Sequence, residues 1–94
     1  MGLLEDSDIQ EGLAAVPDWR MGEQSEIVRD FAFADFAAAI AFVDRVAEVA
    51  EAANHHPDIL VHGWNKVRLT LSTHSRGGLT DADFQLAAQV DDLV

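Results

Sequence analysis

The 94-residue chain predicts an α+β fold. The plan is a four-stranded antiparallel sheet with three helices on one face, in the order α-β-β-α-β-β-α. Three observations carry this expectation. Residues 35–53 hold apolar side chains at helical spacing. Segments on either side alternate apolar and polar residues with period two, as half-buried strands do. Cap and turn residues punctuate the chain between these segments. Helices segregated to one face of an antiparallel sheet leave the other face for chemistry or oligomer contacts. A chain of this length holds one core, and no linker, low-complexity tract or repeat divides it, so residues 1–94 read as a single domain.

The elements follow in chain order. Ser7-Asp8-Ile9-Gln10 has capping-box spacing and predicts a short helix to about Ala15, stopped by Pro17. Trp19 and Met21 alternate with polar neighbours, as in a short strand, and Gly22-Glu23-Gln24 reads as a turn. Between Glu26 and Phe33, Ile27, Phe31 and Phe33 share a face with Arg29. The clearest helix runs from about Asp35 to Ala53, with Phe36, Ile40, Val43, Ala47 and Ala50 as its apolar stripe. Asn54 suits its C-cap, and Pro57 forces His56 out of the helical region. Asp58 to Val61 is a strand leading through His62-Gly63 to Trp64. Asn65 to Thr73 is another, with Val67, Leu69 and Leu71 facing one way, and Gly77-Gly78 breaks it. Thr80 N-caps the last helix, Asp81 and Asp83 suit its first turn, and Leu86, Val90 and Leu93 supply its buried side.

Composition narrows the function classes. About half the residues, 49%, are hydrophobic, which supports one core and argues against disorder. Seventeen acidic against six basic residues give a formal charge of −11, a field that repels phosphate backbones and excludes nucleic acid as a direct partner. No apolar run is long enough to span a membrane, and the acidic N-terminal segment lacks a secretory n-region. With no cysteine, neither disulfides nor thiolate metal sites are available. A cytoplasmic protein is the expectation.

Histidine, the side chain best suited to moving protons near neutral pH, occurs at positions 55, 56, 62 and 74. His62 reads as a solvated loop residue. Adjacent His55 and His56 at a helix exit diverge, so one can face a pocket while the other shapes its wall, or both can simply mark a helix terminus. Glu51, four residues before His55, is disfavoured by the helix dipole. It either orients an imidazole or, like Glu48, belongs to a solvated face. A metal centre is not expected, because ligands on one helix face need spacings of three or four and no His-Glu-x-x-His occurs. Ser72, Thr73 and Ser75 lie near His74 without a Gly-x-Ser-x-Gly elbow. Gly77-Gly78 lacks the lysine and helix of a phosphate loop.

Glu51-x-x-x-His55-His56-Pro57, then six residues to Trp64, nine more to His74 and eight more to Asp83, resembles the signature of the pterin-4a-carbinolamine dehydratases. Trp19, Phe31, Phe33 and Phe36 upstream are similar to that family, as are Asn65-Lys66-Val67, Leu71-Ser72-Thr73-His74 and Gly78-Leu79-Thr80 downstream. The resemblance runs from about Asp6 to Leu93. It implies an enzyme that removes water from a 4a-hydroxytetrahydropterin to give the quinonoid dihydropterin, in recycling of the cofactor spent by aromatic amino acid hydroxylases. It implies no metal or organic cofactor. By resemblance, His55 and His74 transfer protons, His56 binds and positions the pterin, and Glu51 supports the histidines. Trp19, Asn54, Pro57, Thr73 and Asp83 are the implied substrate-binding and pocket-shaping residues, and the implied assembly is a homodimer or homotetramer.

The chemistry fits these residue types. A departing hydroxide must be protonated and N5 must lose its proton as the C=N bond forms, so one acid and one base are needed. Two departures stand out: Asn54 replaces the Asp that animal members carry there, and Ala82 replaces their Arg. The resemblance also implies an alternative, a non-catalytic protein-binding or assembly module, since animal members partner a homeodomain transcription factor and some relatives assist Rubisco assembly.

Overall fold

The structure is a computed structural model describing residues 2–94. Helix α1 (Asp6–Ala15) precedes strands β1 (Arg20–Met21) and β2 (Ile27–Ala32). The long helix α2 (Phe36–Ala53) leads to β3 (Asp58–His62) and β4 (Lys66–Leu71). A 3₁₀ turn (His74–Arg76) then joins β4 to α3 (Asp81–Asp91). The four strands lie in the order β1-β2-β4-β3, every neighbour antiparallel. The predicted plan of three helices and an antiparallel sheet is the one observed.

Strand β4 is central and alternates as expected. Val67, Leu69 and Leu71 are fully buried on the helix side, while Lys66 and Arg68 are exposed on the other. Ile27 and Phe31 of β2 join that buried face, with Leu86, Ala87 and Val90 from α3. Helix α1 docks against α3 through Gly12, where a Cβ would stand 2.7 Å from the Phe84 ring.

Three local expectations are corrected. The α1 cap is Glu5, paired reciprocally with Asp8, rather than Ser7 with Gln10. Leu4 is tied upstream to Leu79 by a 2.9 Å backbone bond, which anchors the chain just before the earlier cap. Strand β1 keeps only Arg20 and Met21, and Trp19 falls outside it as a core residue.

The third correction concerns α2, which buries Ala39, Phe42, Val46 and Ala50. Of the predicted stripe only Ala50 is buried, Val43 is half-buried, and Phe36 and Ile40 remain 55% and 36% exposed. The helix is apolar on two adjacent faces, and periodicity cannot choose between them. Aromatic packing does: the Phe42 ring lies 4.7 Å from Phe31 and 4.9 Å from Phe33, centroid to centroid.

Candidate active site

The end of α2 sets the direction of the histidine pair. Asn54 adopts the left-handed conformation (φ 50°, ψ 42°) that commonly terminates helices. Its N–H donates to the Glu51 carbonyl at 3.1 Å, and the His55 N–H reaches the Ala50 carbonyl at 3.1 Å. This reversal turns His55 toward α3 and returns His56 to the helix it has just left. His55 Nε2 meets Asp83 Oδ1 at 2.6 Å, with the histidine side chain 14% exposed and the aspartate fully buried. His56 Nε2 meets Glu51 Oε2 at 2.5 Å, and both side chains are largely exposed.

The spacing of Glu51 to His55 suggested that pair. The structure instead gives Glu51 to His56, because the left-handed residue between them breaks the i,i+4 geometry on which the expectation rested.

The start of α3 supplies the second half of the site. Thr80 and Asp83 form a reciprocal capping box. Asp83 Oδ2 accepts from the Thr80 backbone N–H at 3.0 Å and from the Thr73 hydroxyl at 2.9 Å. The two threonine hydroxyls are 2.7 Å apart. Thr73 is brought there by a tight return: its N–H donates to the Gly78 carbonyl at 2.8 Å, and Gly77 (φ 75°) closes the 3₁₀ turn between them. His74 opens that turn and is exposed, directly beyond the buried Thr73. Among the described residues no buried side-chain polar atom lacks a hydrogen-bond partner.

The structure therefore joins His55, Thr73 and Asp83 in one hydrogen-bonded cluster, with His74 adjacent in the chain. Thr80 belongs to this cluster too, although its sequence reads only as an N-cap. The signal available for it was the Thr80-x-x-Asp83 capping spacing. Pro57 is half-buried just after the pair, and Asn54 is exposed. Trp19 is placed elsewhere. Its indole N–H donates to Asp91 Oδ1 at 2.8 Å, about 12 Å along α3 from Asp83 at the usual helical rise. A concavity of about 660 Å³ lined by Arg20, Val28, Arg68 and Thr70 also lies away from the histidines, on the helix-free sheet face. Among the described residues, no group of three or more His, Asp or Glu side chains is arranged to hold a metal ion. No helix there is long and apolar enough to cross a membrane.

Fold and site together define a small α+β protein whose polar centre is a histidine anchored by a buried carboxylate, with a second, exposed histidine next in the chain to the clustered Thr73. Solved structures share this fold. The family described as pterin 4 alpha carbinolamine dehydratase matches residues 2–93. A protein of Chloroflexus aggregans, provisionally named pterin-4-alpha-carbinolamine dehydratase, is 52% identical over 94 residues, covering 100% of this chain and 99% of its own. A solved structure described as a transcriptional coactivator/pterin dehydratase from Brucella melitensis superposes with a TM-score of 0.91 at 33% identity, covering 98% of both chains. A second, described as a pterin dehydratase-like protein that is a RuBisCO assembly factor in the alpha-carboxysome, gives a TM-score of 0.68 at 33% identity over 81% of this chain and 88% of that one. The chain belongs to the pterin-4-alpha-carbinolamine dehydratase family.

Proposed function

We propose that this protein dehydrates 4a-hydroxytetrahydropterin to the quinonoid dihydropterin by histidine acid/base catalysis. His55 and His74 transfer the protons, one to the departing C4a hydroxyl and one from N5. His56, with Glu51 behind it, binds and orients the pterin. Asp83 and Thr73 hold His55 in place, and Asn54 and Pro57 complete the substrate surroundings. The reaction requires no metal or organic cofactor on this reading. The observation that carries it is the 2.6 Å contact from the buried Asp83 to His55, in the same hydrogen-bonded cluster as Thr73, the chain neighbour of the exposed His74. A histidine that only capped a helix would not need a fully buried carboxylate, since burying such a group is costly unless it is well partnered.

The wider reading goes with the family resemblance: a cytoplasmic enzyme, a homodimer or homotetramer, serving an aromatic amino acid hydroxylase whose spent cofactor it restores. The test is the decay of a 4a-carbinolamine pterin followed spectroscopically. Native protein accelerates it, and His55→Ala and His74→Ala each lose about 10²–10⁴-fold in kcat. His56→Ala acts mainly on KM, as expected for a group that binds ground and transition states alike. No acceleration by the native protein over the uncatalysed reaction overturns the proposal.

A second reading is a non-catalytic binding or assembly module on this fold, favoured by the structural similarity to a RuBisCO assembly factor. Capture of a stoichiometric protein partner, together with no pterin binding by titration, selects it over the first.

A further inference from the structure

We infer that Asp83, held in place by Thr80 and Thr73, keeps a proton on His55 Nε2, so that His55 works on its substrate through Nδ1 alone. That Nδ1 acts on a substrate rests on the dehydratase reading. The protonation pattern does not.

The hydrogen-bond directions follow from counting protons. Asp83 Oδ2 faces the Thr80 backbone N–H at 3.0 Å, a group that can only donate. The same oxygen takes the Thr73 hydroxyl proton at 2.9 Å. Thr73 has one such proton, so the proton in the 2.7 Å contact between the hydroxyls belongs to Thr80. The chain thus runs one way, from Thr80 to Thr73 to Asp83. With Oδ2 occupied by donors, a carboxyl proton could sit only on Oδ1, in the 2.6 Å contact with His55 Nε2. Between a carboxylate and an imidazole, the imidazole is the stronger base and keeps it. Nε2 therefore carries a proton whether the ring is neutral or charged. Nδ1 is left to give or take the proton that chemistry requires. Thr80 and Asp83 are positioning residues here, acting on the reaction only through the ring they orient.

Asp83→Asn makes the inference sharp. The asparagine oxygen must stay toward the Thr80 N–H and the Thr73 hydroxyl, which places its amide NH₂ against His55 Nε2. An NH₂ needs an acceptor, so the ring is forced into the opposite tautomer, with its proton on Nδ1.

The experiment is ¹⁵N–¹H NMR of the histidine side chains in the full chain, without pterin and at a pH where the ring is neutral. The native protein should show His55 as the Nε2–H tautomer and D83N as the Nδ1–H tautomer. Thr80→Val and Thr80→Ser, which both keep the Asp83 carboxylate, should both keep the Nε2–H tautomer. A native His55 protonated on Nδ1 overturns the inference, as does a D83N spectrum that retains Nε2–H. A Thr80→Val spectrum with the proton on Nδ1 overturns it too, because the Asp83 carboxylate is then not what sets the tautomer. Should D83N fail to fold, the native spectrum and the Thr80 pair still decide. In turnover, D83N should lower kcat far more than it raises KM, by as much as about 10⁴-fold, the scale of imposing the wrong tautomer on a catalytic histidine. If the tautomers are as stated and no dehydration is detected in any form, the dehydratase reading fails and this inference stands.

Discussion

At the scale of single residues, Asn54 decides where the chemistry can be. Its left-handed backbone turns the chain by one step, so that His55 enters the Asp83 cluster while His56 stays outside with Glu51. A side chain with a Cβ is disfavoured in this conformation by about 1–2 kcal/mol, and asparagine is among the few residues that visit it readily. Asn54→Gly should therefore leave stability unchanged or raise it slightly. Asn54→Ala should lower it by about 1 kcal/mol, read as a shift in the urea midpoint at constant slope. An alanine variant as stable as the native chain would show that the turn is held by something other than Asn54. The cap itself was legible, because an Asn followed by His-His-Pro announces a helix end. The handoff of Glu51 to the second histidine was not. It depends on one backbone angle that spacing does not encode, and the pairing of His55 with Asp83 spans 28 residues of sequence.

At the scale of elements, the strand alternation was readable because β4 is buried on one face only. Lys66 to Leu71 switch strictly between solvent and core, so period two is preserved in the sequence. The two-residue β1 was not, since so short a strand leaves too little pattern to bound it. What secures that edge is polar and lies on the helix-free face. Asp30 sits opposite Arg68 in the β2–β4 register and bridges to it at 2.7 Å, while Arg20 of β1 reaches the same carboxylate at 2.9 Å. Arg68's hydrogen bond is the main influence holding the Asp30 carboxyl below its usual range, with Arg20 adding to it and partial burial opposing. Asp30 raises the Arg68 guanidinium in turn. A carboxylate depressed on folding contributes stability above its unfolded value of about 3.9, and that contribution is lost as pH falls through the folded value. Asp30→Asn should thus be slightly less stable than the native chain at neutral pH, the effect being small because both partners are exposed and screened. In urea titrations the gap should close as the pH drops below about 4. A gap that is independent of pH would assign the loss to strand packing rather than to the ion pairs.

For the whole molecule, α3 acts as the tie. Its first turn holds Asp83 against His55, and Asp91 near its end takes the Trp19 indole and the Arg29 guanidinium. The site is thereby fixed to the sheet from both ends of one helix. The same scale explains why the buried face of α2 differs from the stripe its sequence predicts. An isolated chain offers two apolar faces, and only one can meet the sheet. Phe36 and Ile40 are left in solvent, with Val43 half-buried and Ala47 exposed beside them, and no charged residue falls within that row. With a formal charge of −11, two copies repel one another unless an uncharged surface of this kind brings them together. The exposed Ile59 and Leu60 on edge strand β3 offer a second apolar contact for a larger assembly. The homo-oligomer proposed above should therefore depend on the α2 row. Ile40→Glu should yield monomers with an unchanged far-UV spectrum, because the residue it alters does not belong to the core of its own chain. Ile40 is 36% exposed, so burying what remains of it contributes about 0.5–1 kcal/mol. A two-fold contact counts it twice, and the introduced carboxylates must also be desolvated, so the variant should weaken association by roughly tenfold or more. Sedimentation equilibrium checks this directly, and added salt should tighten the native assembly by screening the acidic surfaces. A native protein that sediments as a monomer at every concentration and salt level would leave this face without a second copy and refute the proposal.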